Sequence, residues 1–146
     1  MTGSCACAAI FKNPLAFKYS LCYINAMDIL ITNNPLCRDH FAGVYYVEFD
    51  DVSAYAILQQ VRDRVHLGHG ILSHPRAGGL PPGTSPYKSV VLSGVADGVP
   101  NLQLLEIVEN AVKAYEKART EFPEKHLEHF SKLDLSLLAP NAHKKY

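Results

Sequence analysis

Asp28-Ile29-Leu30-Ile31-Thr32 sets three large apolar side chains in succession, with no polar residue between them. Successive side chains of a strand point to opposite faces, so this run makes sense only as a central strand covered from both sides. Asn33-Asn34-Pro35 follows at once. Asn34 suits a helix N-cap and Pro35 the first helical position, so a short helix is expected from Pro35 to about Phe41. A buried strand running directly into a helix points to layered α/β architecture.

The rest of the chain extends that pattern. Val44–Phe49 reads as a second strand, at an edge. Asp50 or Asp51 is expected to cap a helix reaching about Leu67, whose apolar positions Ala54, Leu58, Val61 and Val65 recur at helical spacing. Gly68 suits the left-handed residue that ends it. Gly70–Ser73 and Ser89–Ser93 read as strands. The link from Pro75 to Pro86 shows no helical pattern, so the fourth strand is expected to run antiparallel. A long helix over 102–122 should bury Leu105, Val108, Val112, Tyr115 and Phe122, with Glu109 and Lys113 paired on its outer face. Right-handed crossovers would put the second strand beside the first and the third on its other side. The expected fold is a small three-layer α/β sandwich, its short, mostly parallel sheet of about four strands flanked by helices. Residues 1–26 hold no period and are expected to be a poorly ordered extension. The α/β domain then covers 27–122, and 123–146 form a tail with one short amphipathic helix around Leu127, Phe130 and Leu137.

Composition removes several function classes. Lys+Arg and Asp+Glu both total 14, so no excess of positive charge is available for broad nucleic-acid binding. No window approaches the roughly 18 apolar residues of a membrane span. The cysteines at 5, 7, 22 and 37 form no Cys-x-x-Cys pair, as expected of a reduced cytoplasmic protein. His66, His69 and His74 straddle a helix end and a strand, which does not converge on one metal, and no cofactor motif is present. Cys37, in the first turn of its helix, is either a reactive thiol or a small buried hydrophobe.

The chemistry concentrates between His74 and Ser89. This stretch is dense in glycine and proline, as loops require, yet it also carries a histidine, an arginine, a lysine, a tyrosine and hydroxyls. In open α/β sheets, ligands sit at the carboxyl ends of the strands. That edge would gather Thr32, Asn33 and Asn34 with His74, Pro75 and Gly78, and an antiparallel fourth strand would add Ser85, Tyr87, Lys88 and Ser89. The glycines do not form a phosphate loop, because a strand follows Lys88-Ser89 where a helix is needed. Three readings stand side by side. The first is a small-ligand or anion cleft, with the helix N-terminus at Asn34 and Lys88 holding negative charge. The second is an enzyme with His74 as general acid/base assisted by Lys88 or Tyr87. The third is a docking module presenting loop 76–87.

The segments Ile29–Leu36, Val61-Arg62-Asp63 through Gly68-His69, and His74-Pro75 through Ser85-Pro86-Tyr87-Lys88-Ser89 resemble the GrdX family over about Met27 to Phe122. The chain departs from that pattern at Arg76-Ala77 and at Ser85, where Leu-Ser and threonine are expected. Proteins of this family are encoded beside the glycine, sarcosine and betaine reductases of amino-acid-fermenting anaerobes. The resemblance therefore implies a context more than an activity: cytoplasmic, anaerobic and linked to selenoprotein reductases. Joined to the reading of the residues, it makes the expected protein an accessory component with a small anionic metabolite or a reductase subunit as partner, and no nucleic acid or membrane.

Overall fold

The computed structural model describes residues 27–75, 81–118 and 121–139. The expected N-terminal extension, Arg76, Gly78 and the end of the tail lie outside these residues. Strand β1 (Ile29–Thr32) is followed by helix α1 (Pro35–His40), strand β2 (Tyr46–Phe49) and helix α2 (Ala54–His66). Strands β3 (His69–Ile71) and β4 (Ser89–Ala96) then lead to helix α3 (Leu102–Glu116) and, after a single 3-10 turn, to helix α4 (Leu127–Leu138).

The sheet has the order β2-β1-β4-β3. β1 pairs in parallel with β2, whereas both ladders of β4, to β1 and to β3, are antiparallel. The expectation of a mostly parallel sheet, with β3 beside β1, is therefore corrected: β4 takes that place. The reason lies in the strands themselves. β4 carries Val90-Val91-Leu92, all buried, and belongs in the interior of the sheet. β3 is a short His-Gly-Ile segment with an irregular register, suited to an edge. Its irregularity is held by Ser93, whose hydroxyl accepts from the Gly70 N–H at 2.7 Å and whose carbonyl oxygen lies 2.7 Å from Nδ1 of His69.

Alternation along β1 explains its unbroken apolar run. Ile29 and Ile31 pack with Val90 and Leu92 against α2 and α3, among Ile57, Leu58, Val61, Val108 and Val112. Leu30 and Val91 point the other way, toward Cys37 and Phe41 on α1's side and Leu138 of α4. Each fully buried side chain of this size contributes about 1.5–3 kcal/mol.

The helix ends follow local rules. Asn34 caps α1 with Pro35 at its first position, as expected. α2 is capped by Ser53 rather than Asp50 or Asp51, its hydroxyl accepting from the Ala56 N–H. Gly68 takes φ +101° beyond that helix, and a Cβ there would lie 2.6 Å from the Gly98 nitrogen, so both the turn and the close approach require glycine. α3 ends at Glu116, short of Phe122. Glu109, expected to pair along its own helix, reaches across to Arg62 and His66 of α2 at 3.9 Å each.

Candidate functional site

Three stretches of backbone meet where β1 ends, and Asn33 ties them together. Its Nδ2 donates to the carbonyl oxygens of Val52 (2.8 Å) and Pro86 (2.9 Å), and its Oδ1 accepts from the Lys88 N–H at 2.7 Å. Its own N–H donates to the Lys88 carbonyl oxygen at 3.3 Å. The connection from β2 to α2 and the segment leading into β4 are thereby fastened to one point. Because β4 is antiparallel to β1, Thr32 faces Ser89 across the ladder, and their hydroxyl oxygens lie 2.7 Å apart.

A buried polar network continues from there beneath α4. The Ser89 hydroxyl is 2.7 Å from the Asp134 carboxylate and must donate to it, which leaves the Thr32 hydroxyl as donor to Ser89. Asn34 is fully buried. Its Oδ1 accepts from the Leu36 N–H and from the Ser131 hydroxyl, and its Nδ2 donates to the Ser131 carbonyl oxygen at 2.9 Å and to Asp134 at 3.0 Å. The N-terminus of α1, expected as an anion site, is thus covered by α4 with its cap already engaged. Among the described residues, no buried side-chain nitrogen or oxygen lacks a hydrogen-bond partner. Such satisfaction fixes one arrangement of the network.

Cys37 lies inside this network, with its thiol 3.5 Å from Asp134. Burial, followed by the Asp134 charge, pushes its pKa up to about 12 from 9.0. Of the two expectations for Cys37, the buried hydrophobe holds. The folded state keeps the thiol protonated where the unfolded chain ionises, so this contribution to stability is intact below pH 9.0 and is lost as pH rises toward about 12. Cys37→Ala should therefore flatten the alkaline limb of a stability–pH curve, as read by urea denaturation between pH 8 and 11. An unchanged limb would contradict the assignment. In the native protein Cys37 should also resist iodoacetamide at pH 8, followed by peptide mass spectrometry.

On the other side of Asn33 opens a cleft of about 350 Å³. The start of α2 supplies Asp51, Ser53 and Tyr55, the loop before β4 supplies Ser85 and Tyr87, and α3 with its exit supplies Tyr115 and Phe122. Burial and the nearby Asp51 charge both raise the pKa of Tyr87, so its hydroxyl stays protonated across the physiological range. Lys88 is buried, with Nζ 5.3 Å from the centre of the Tyr115 ring. It lines not this cleft but a neighbouring void of about 30 Å³, shared with Ser89 and Asp134, about the size of one water.

The structure thus gathers Thr32, Asn33, Asn34, Ser85, Tyr87, Lys88 and Ser89 at one edge of the sheet, and it divides them. Asn33, Ser85 and Tyr87 line the cleft, while Thr32, Asn34 and Ser89 belong to the network under α4. His74 is exposed, Pro75 is buried, and neither lines the cleft; Gly78 falls outside the described residues. Sequence reasoning missed Asp51, Tyr55, Ser131 and Asp134. A signal existed for the last two: Ser131, Asp134, Leu135 and Leu138 recur at spacings of 3, 1 and 3, which places a polar pair within an apolar helix face. Among the described residues no cluster of His, Cys, Asp or Glu is arranged to hold a metal. No described helix is long and apolar enough to cross a membrane.

Fold and site together define a small α/β protein with a mixed sheet, a latched strand end and an adjoining cleft. A family model described as GrdX-like protein matches residues 29–142. The chain belongs to the GrdX-like family. The match continues past Phe122, where the resemblance was expected to end, and takes in α4. No curated protein and no solved structure matches the chain.

Proposed function

We propose that the protein is a cytoplasmic accessory component of a glycine-, sarcosine- or betaine-reductase system and that it holds a small metabolite in the cleft beside Asn33 and Tyr87. Family membership supports the reductase context. The observation that carries the binding reading is the cleft itself. Its volume lies at the lower end of the usual range for small-molecule sites, and its wall is a mixture of aromatic and hydroxyl side chains. Asn33, with both ends of its amide engaged, holds that wall in place before any ligand arrives. In this reading the helices on the two faces of the sheet make a three-layer sandwich, with the site at its edge.

The geometry favours binding over turnover. The enzyme reading needs His74 beside the ligand, and His74 does not line the cleft. Differential scanning fluorimetry of the full chain against a panel of small amines, amino acids, carboxylates and phosphates tests the proposal. At 100 times its dissociation constant a bound metabolite stabilises by about 2.7 kcal/mol, which should raise Tm by several degrees. Tyr87→Leu should abolish the shift while His74→Ala leaves it. A panel with no active member, or a shift lost with His74 and kept with Tyr87→Leu, would overturn the reading.

A further inference from the structure

The wall of the cleft has a definite electrostatic character. Among the described residues lining it, Asp51 alone carries a formal charge, and Tyr55, Tyr87 and Phe122 supply aromatic rings beside Tyr115, whose ring already meets Lys88. Aromatic faces are electron-rich and attract cations, and a carboxylate reinforces them. An anion would meet the reverse. The first-turn amides of α2 offer it only partial positive charge. Lys88, the lysine expected to neutralise an anion, lines the neighbouring void instead and lies over Tyr115.

We propose that the cleft binds a small organic cation bearing an alkylated ammonium group, with Asp51 as counter-ion and Tyr55 and Tyr87 as aromatic wall. Asp51 and Tyr87 line the same cleft, so carboxylate and ring border one space. Alkylation matters because a bare ammonium holds its water strongly and needs several acceptors to replace it. A wall with one carboxylate and mostly ring surface suits a cation whose own surface is hydrocarbon. The volume corresponds to roughly a dozen waters at about 30 Å³ each, room for a trimethylammonium head and a short tail.

This assignment rests on the cleft being a ligand site, and the test separates the two claims. Isothermal titration calorimetry on the full chain would compare choline, its neutral isostere 3,3-dimethylbutan-1-ol and inorganic phosphate at matched ionic strength. Choline is expected to bind at least about tenfold more tightly than the isostere. Asp51→Asn and Tyr87→Leu should each weaken choline by about five- to thirtyfold, whereas Tyr87→Phe keeps most of the affinity because the ring remains. Asp51 is exposed, so its substitution leaves the core untouched, and an unchanged Tm of the ligand-free variant verifies this. Equal binding of the isostere, preferential binding of phosphate, or no response to choline overturns the cation assignment. The ligand cleft survives those results if another metabolite binds in a Tyr87-dependent way, and falls with the assignment if none does.

Discussion

Asn33→Ala is expected to destabilise the protein by about 4 kcal/mol and to lower Tm by roughly 12 °C. The side chain makes three hydrogen bonds to main-chain groups of two other segments, and it is only 5% exposed. Each such bond contributes a net ~1 kcal/mol, and the buried Lys88 N–H left without its acceptor adds a desolvation penalty of about the same size. Asn33→Asp keeps the acceptor but removes both donors, and it turns a buried carboxylate toward the carbonyl oxygens of Val52 and Pro86. It should be at least as damaging at neutral pH. Urea denaturation of the three proteins measures both effects, and a loss below about 1 kcal/mol for Asn33→Ala would show that the three segments hold together without this latch. Because Val52 and Pro86 both border the cleft, the same substitution should weaken ligand binding without touching the aromatic wall.

The parts of the fold legible in the sequence are those fixed by neighbours along the chain. Asn34-Pro35 announces a helix start because the cap and the first helical position are adjacent, and Gly68 announces an end because its backbone must enter a region closed to side chains. The order of the strands is a competition among distant segments. A rule of right-handed crossovers placed β3 next to β1, but burial decides otherwise, since Val90-Val91-Leu92 lose more by lying at an edge than His-Gly-Ile does. That Lys88 and Ser89 return to the edge that carries Asn33 is legible, since without a helix between Pro75 and Pro86 the fourth strand is expected to run antiparallel. That Ser89 lies opposite Thr32 is not, because it needs β4 rather than β3 beside β1. The cleft was harder to see. Tyr115 reads as one more residue of a buried stripe, and Asp51 as one of two caps, until the fold sets them around a common space. Asp134 reaches Asn34 from 100 positions away, a separation at which no local pattern names a partner.

Removing residues 124–146 should cost about 4 kcal/mol, much of the stability of a domain of this size, because α4 closes one face of the sheet rather than trailing from it. Leu138 is buried, and Leu135 packs beside it against the cluster that holds Leu30, Cys37, Phe41 and Val91. Returning these two leucines and the apolar surface beneath them to water accounts for roughly 3 kcal/mol. Ser131 and Asp134 leave with the helix, which exposes the Asn34 amide and the Ser89 hydroxyl to solvent. That relieves their desolvation, so the hydrogen-bond loss adds only about 1 kcal/mol. Asp134→Ala separates the contributions: it removes the acceptor while α4 remains in place, leaving Ser89 and part of Asn34 buried without it, and should cost about 2 kcal/mol alone. The truncated chain should unfold at lower urea with a smaller slope, since less surface is exposed on unfolding. A truncated protein with the midpoint and slope of the full chain would mean that α4 is dispensable, and that the network around Asn34 needs no lid.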